Sequence, residues 1–136
     1  MTDPVNPLLK NAKPISLEIR PLVDAITEAL ESLKAQNIVI LPIGDISSIA
    51  DAMILASGTS TTHVKAIADE VIEHCKTAGY NPIGIEGKEA AEWVLVDFDD
   101  VIVHIMLPAT REFYDIERLW TARPPVKPEK NKSQPR

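Results

Sequence analysis

Apolar side chains recur every three or four residues from Leu22 through Ile26, Ala29 and Leu30 to Leu33, the buried stripe of an amphipathic helix. Pro21 stands where a first helical turn needs no amide hydrogen, and the pattern ends at Asn37. The spacing then changes. NIVILPI and DAMILASG are short apolar runs punctuated by Pro42, Gly44 and Gly58, and they predict two strands buried on at least one face. Helical spacing returns near Thr59 or Ser60, where a hydroxyl can cap the first turn, and carries Val64, Ile67, Ala68, Val71, Ile72 and Cys75. Gly79 stops it, since glycine takes the left-handed position after a helix without steric cost. A short strand follows around Ile83 to Glu86, then WVLVDF and VIVHIML, joined by a tight turn at Asp99-Asp100. Residues Arg111 to Thr121 predict a third helix, ending before Pro124. The order αββαβββα reads as an α/β (α+β) domain, a mixed sheet with packed helices.

The 136 residues, 45% of them apolar, suffice for one domain with its own core. That domain is expected at 21–122. Residues 1–20 carry Pro4, Pro7 and Pro14, and the tail RPPVKPEKNKSQPR holds four prolines with Val126 as its one other apolar side chain. Burial there is too small to offset the entropy of ordering, so 1–20 reads as a flexible segment and 123–136 as a disordered basic tail. No run of apolar residues is long enough for a membrane span and no secretory pattern opens the chain, so a cytoplasmic protein is expected. The single cysteine, Cys75, excludes an internal disulfide and a cysteine-based zinc site.

Charge divides the chain. The last 14 residues hold five of the 14 basic residues against one acid, which leaves residues 1–122 at −10, with nine basic and 19 acidic side chains. An acidic body repels phosphate backbones, so direct nucleic-acid recognition by the folded domain is disfavoured, and the tail is the part suited to touch RNA.

Candidate chemistry is sparse. Gly58, Thr59 and Ser60 could offer amide hydrogens to an anion at a helix start, but no P-loop lysine or repeated glycine accompanies them; a glycine turn with a hydroxyl cap is the plainer reading. Asp97, Asp99 and Asp100 could hold magnesium, yet aspartate is an ordinary turn residue and no cation for a triphosphate lies nearby in sequence. His63 and His74, about three helical turns apart, cannot chelate one ion. No metal or cofactor is therefore expected. Cys75 belongs to an apolar stripe and reads as core. His104 shares a strand face with Ile102 and Met106, which suits a hydrogen-bonded histidine at the core's edge better than a catalytic base. Trp93 is the stronger functional candidate, because only six aromatic residues occur and tryptophan is enriched where proteins meet; its alternative is core filling.

Asp51, Ala56-Ser57-Gly58, Ser60, His63-Val64, Ala66 to Asp69, Glu86-Gly87, Trp93-x-Leu95-x-Asp97, Val103-His104, Arg111-x-Phe113-Tyr114 and Glu117-x-Leu119-Trp120 together resemble the ribosomal silencing factor (RsfS, Iojap-like) family over about residues 22 to 120. The resemblance implies a nucleotidyltransferase-like fold without its catalytic carboxylate set, hence no enzyme. It also implies a homodimer when free, and binding to large-subunit ribosomal protein fourteen that blocks joining of the small subunit and represses translation when nutrients are scarce. Asp99 stands where the family usually has glycine, and Met53 where an aromatic is common. Residue types then nominate Trp93 and Leu95 as apolar docking anchors and Asp97, Asp99 and Asp100 as charged partners. The competing readings are a nucleotidyltransferase using Glu86 or the aspartates, and an adaptor dimer with another partner.

Overall fold

The computed structural model describes residues 15–121, and the expected basic tail lies outside them. Five strands form one sheet in the order β1-β2-β5-β4-β3, where β1 is Gln36–Pro42, β2 Ala52–Ser57, β3 Gly84–Glu86, β4 Trp93–Asp97 and β5 Val101–Met106. Only β2 and β5 run parallel; the other neighbours are antiparallel, so the mixed α/β architecture expected from the sequence is the one found. Helices α1 (Arg20–Ser32) and α2 (Thr61–Thr77) cover one face, and two short helices, α3 (Pro108–Tyr114) and α4 (Ile116–Thr121), follow β5.

Strand alternation sorts the two faces. Ala52, Ile54 and Ala56 of β2, Val94 and Val96 of β4, and Val101, Val103 and Ile105 of β5 meet Ile26, Leu30, Ile67 and Val71 of the helices in the main core. The opposite positions, Met53, Leu55, Ile102 and Met106, build a second apolar cluster with Leu41, Ile43 and Ile116. Both faces of the central β2-β5 pair are therefore buried, which is why these strands read as unbroken apolar runs.

Helix ends differ from the sequence reading in instructive ways. Helix α1 ends at Ser32 rather than Asn37, because Lys34 takes a left-handed φ of 61° and lets the Lys34 and Ala35 amides donate back to Glu31 and Leu30 carbonyls. Gly79 closes α2 the same way, with Gly79 and Tyr80 amides bonded to Lys76 and Cys75 carbonyls. Asn37 lies in β1 at φ 53°, where the pairing with β2 is irregular. The expected third helix is two helices, because Asp115 adopts φ 47° and its side chain ion-pairs with Arg118. Upstream, Ile19 is buried and Ile15 packs on the main core, so packed chain begins before residue 21.

Candidate functional site

The turn between β2 and α2 is scaffold. Ser60 caps the helix through Oγ, which accepts the His63 amide at 3.1 Å, and the Thr59 amide donates to His63 Nδ1 at 2.9 Å. With Nδ1 accepting, His63 Nε2 donates to the Leu33 carbonyl at 2.7 Å and ties the start of α2 to the end of α1. These amide donors face protein acceptors. A Cβ on Gly58 would stand 2.8 Å from Val64 Cγ2 and 2.9 Å from the Val64 amide nitrogen, so glycine is required here for close packing of strand on helix.

The sheet face away from α1 and α2 is only partly covered. Trp93 and Leu95 of β4 project there, with His104 of β5 opposite Leu95, and a cavity of about 220 Å³ lies among them. Ile43, Ile49 and Met53 line it from the β1-β2 side, Ile102 from β5, and Ile116, Leu119 and Trp120 from α4. Its rim is apolar and open to solvent: Ile49 is 64% exposed and Leu119 72%. Trp93 also packs on Tyr114 with ring centroids 5.0 Å apart, and Tyr114 meets Phe113 edge-on at 4.9 Å, where Phe113 is 80% exposed. These side chains together form an exposed aromatic and aliphatic patch beside the cavity.

Trp93 Nε1 donates to His104 Nδ1 at 2.9 Å. Burial holds the His104 imidazole neutral, pushing its pKa down to about 4. The cavity lining includes no lysine, arginine or hydroxyl, and its volume falls below that of ordinary small-molecule sites, about 300–1,000 Å³. It suits one apolar side chain better than a nucleotide.

Asp97 is on the same face as Trp93 and Leu95, at the end of β4 paired with Ile102. Its Oδ1 accepts the Asp99 amide at 2.8 Å, and Asp99 turns the chain at φ 76°. Asp100 accepts the Asp51 and Ala52 amides through its carbonyl, while its carboxyl pKa is raised by loss of hydration and then by the charges of Asp51, Asp99 and Glu18. The five nominated residues thus divide into an apolar pair within the cavity, Trp93 and Leu95, and an acidic end formed by Asp97, Asp99 and Asp100. Glu86, the candidate catalytic acid, lies on the edge strand opposite Leu95, two register steps from the partner of Asp97. Among the described residues no group of three or more histidine, cysteine or acidic side chains is arranged to hold a metal.

The sequence places His104 on one strand face with Ile102 as a hydrogen-bonded histidine at the core's edge, and the structure agrees; antiparallel pairing across the Asp99-Asp100 turn sets that face beside Trp93, Leu95 and Asp97. Ile43, Ile49, Leu119 and Trp120 come from loops and a short helix whose placement no periodicity reports.

Arg111 fastens that short helix. Its guanidinium is buried, donating to Ser57 Oγ at 3.0 Å and to both carboxylate oxygens of Glu117 at 3.0 and 3.2 Å.

A family model described as "Ribosomal silencing factor during starvation" matches residues 16–136. The ribosomal silencing factor RsfS of Chromobacterium violaceum is 45% identical over 109 residues, covering 80% of this chain and 89% of that protein. Its Haemophilus influenzae counterpart is 46% identical over 99 residues, covering 73% and 97%. A crystal structure of a Chromobacterium violaceum protein superposes with a TM-score of 0.76 at 44% identity, covering 81% of this chain and 92% of that one. Sequence and fold agree, and the chain belongs to the ribosomal silencing factor family.

Proposed function

We propose that this protein silences ribosomes by docking on the large subunit through ribosomal protein fourteen and occluding the approach of the small subunit, repressing translation under nutrient limitation. The observation that carries the docking mode is the partly covered sheet face, where an apolar cavity beside Trp93 adjoins an acidic strand end. Apolar burial would supply affinity, while the aspartates would steer and orient a basic protein surface. Inhibition then needs only bulk at the subunit interface and no chemical step. A free homodimer in the cytoplasm, with the basic tail contacting ribosomal RNA once docked, completes the proposal.

Sucrose-gradient sedimentation with purified large subunits tests it, paired with a subunit-joining assay. Co-migration with the large-subunit peak and fewer joined particles are expected. Migration at the top of the gradient, or micromolar binding of ATP or CTP by calorimetry, would overturn the proposal in favour of an adaptor or an enzyme.

A further inference from the structure

His104 Nε2 is buried without a hydrogen-bond partner, in a residue that is 6% exposed and lines the cavity. Its protonation follows from its neighbour. The indole N–H of Trp93 can only donate, so His104 Nδ1, 2.9 Å away, must be the unprotonated acceptor. A neutral imidazole with a bare Nδ1 carries its proton on Nε2. Among the buried side-chain polar atoms of the described residues, this donor is the one without a partner, and the residue that carries it lines the cavity.

We infer that His104 is the polar anchor of this face, donating its Nε2–H to a main-chain carbonyl of a basic protein segment that seats an apolar side chain in the cavity. The inference rests on the docking reading above and assigns its recognition chemistry. A carboxylate or phosphate is a poor acceptor here: it would lose its hydration among apolar side chains and be repelled by Asp51, Asp97, Asp99 and Asp100 at the strand ends. A carbonyl bears no net charge, and basic residues beside it would meet the aspartates. Burial keeps the imidazole from ionising near neutral pH, which preserves the neutral donor. An apolar group alone in the cavity would leave the donor unpaired, so the site discriminates by hydrogen bonding as well as by shape.

The test measures affinity of the full chain for purified large ribosomal subunits at fixed salt. His104→Phe keeps a ring but no donor, and is expected to weaken binding ten-fold or more. His104→Gln can place an N–H near the position of Nε2, and is expected to recover most of that loss. Nitrogen-15 NMR of the free protein at neutral pH is expected to show His104 with its proton on Nε2. A proton on Nδ1, phenylalanine binding as tightly as the parent, or a folded glutamine variant as weak as phenylalanine would each overturn the inference. If phenylalanine fails to fold, the NMR tautomer and the glutamine affinity decide. Failure of the parent chain to bind is a different result, overturning the docking reading and the inference with it.

Discussion

Arg111 and Glu117 join α3 to α4 across the break at Asp115, with the guanidinium of one gripping both oxygens of the other while also reaching Ser57 on β2. One buried cation thus holds the segment that carries Ile116, Leu119 and Trp120 to the cavity. Removing it takes away one hydrogen bond from Ser57 and two from Glu117. Arg111→Leu should cost about 2–4 kcal/mol, less than a fully enclosed pair because Glu117 is 28% exposed at its side chain. Urea denaturation measures the loss, and a cycle with Glu117→Gln should show strong coupling. A loss below about 0.5 kcal/mol would mean the pair is no more than a surface bridge.

How much of this was legible varied with the physical signal. Strand faces could be read because alternation in VIVHIML and WVLVDF is a backbone property, and Gly79 announced the end of α2 because glycine is the residue that conformation favours. The end of α1 was hidden, since lysine at Lys34 makes the same closing turn with no glycine to advertise it. The break at Asp115 was hidden likewise by helix-compatible spacing on either side. Trp93 could be nominated from its type, but its cavity is assembled from β1, β2, β5 and α4 by tertiary contacts.

Gly58 tests the reading of the β2-α2 turn as packing rather than phosphate chemistry. A methyl group there meets Val64 backbone as well as its side chain, and backbone cannot rotate away. Gly58→Ala is expected to destabilise by about 1–3 kcal/mol, the usual range for overpacking. Thermal unfolding checks this; an unchanged melting temperature would show that α2 can shift without cost.

Asp99 provides a test of opposite sign. At φ 76° an L side chain bears strain that glycine does not, and the hydrogen bond that the Asp99 amide donates to Asp97 Oδ1 uses only backbone at position 99. Asp99→Gly should stabilise by a few tenths to about 1 kcal/mol, after part of the gain is lost to the freer unfolded chain. A clear destabilisation would show that the Asp99 carboxylate makes a needed interaction.

His104 should contribute to the acid side of the stability profile. The unfolded imidazole binds a proton near 6.5, whereas the folded one does so only at about 4. Between these values the unfolded chain holds more protons, so stability rises with pH through this window and is lost as pH falls from about 6.5 to about 4. The full contribution is about 3 kcal/mol at about 1.4 kcal/mol per unit. His104→Gln should flatten that slope in denaturant titrations taken across the window; an unchanged slope would place the acid sensitivity elsewhere.

Asp100 separates docking from folding. Its folded pKa is raised by loss of hydration and by Asp51, Asp99 and Glu18, so its charge opposes the fold at neutral pH and that opposition fades as pH falls through the folded value. Reversing it should relieve the cluster. Asp51 is exposed beside it, and the hydrogen bond that the Asp51 amide donates to the Asp100 carbonyl does not depend on either side chain. Asp97 is left intact because its carboxylate holds the turn. The double variant Asp51→Lys with Asp100→Lys is therefore expected to melt no lower than the parent, while repelling the basic surface that the parent attracts. Affinity for large subunits should fall at least ten-fold at low salt, and the gap should narrow as salt screens both attraction and repulsion. Parental affinity at low salt would remove the acidic strand end from the docking surface and leave the cavity beside Trp93 to act alone.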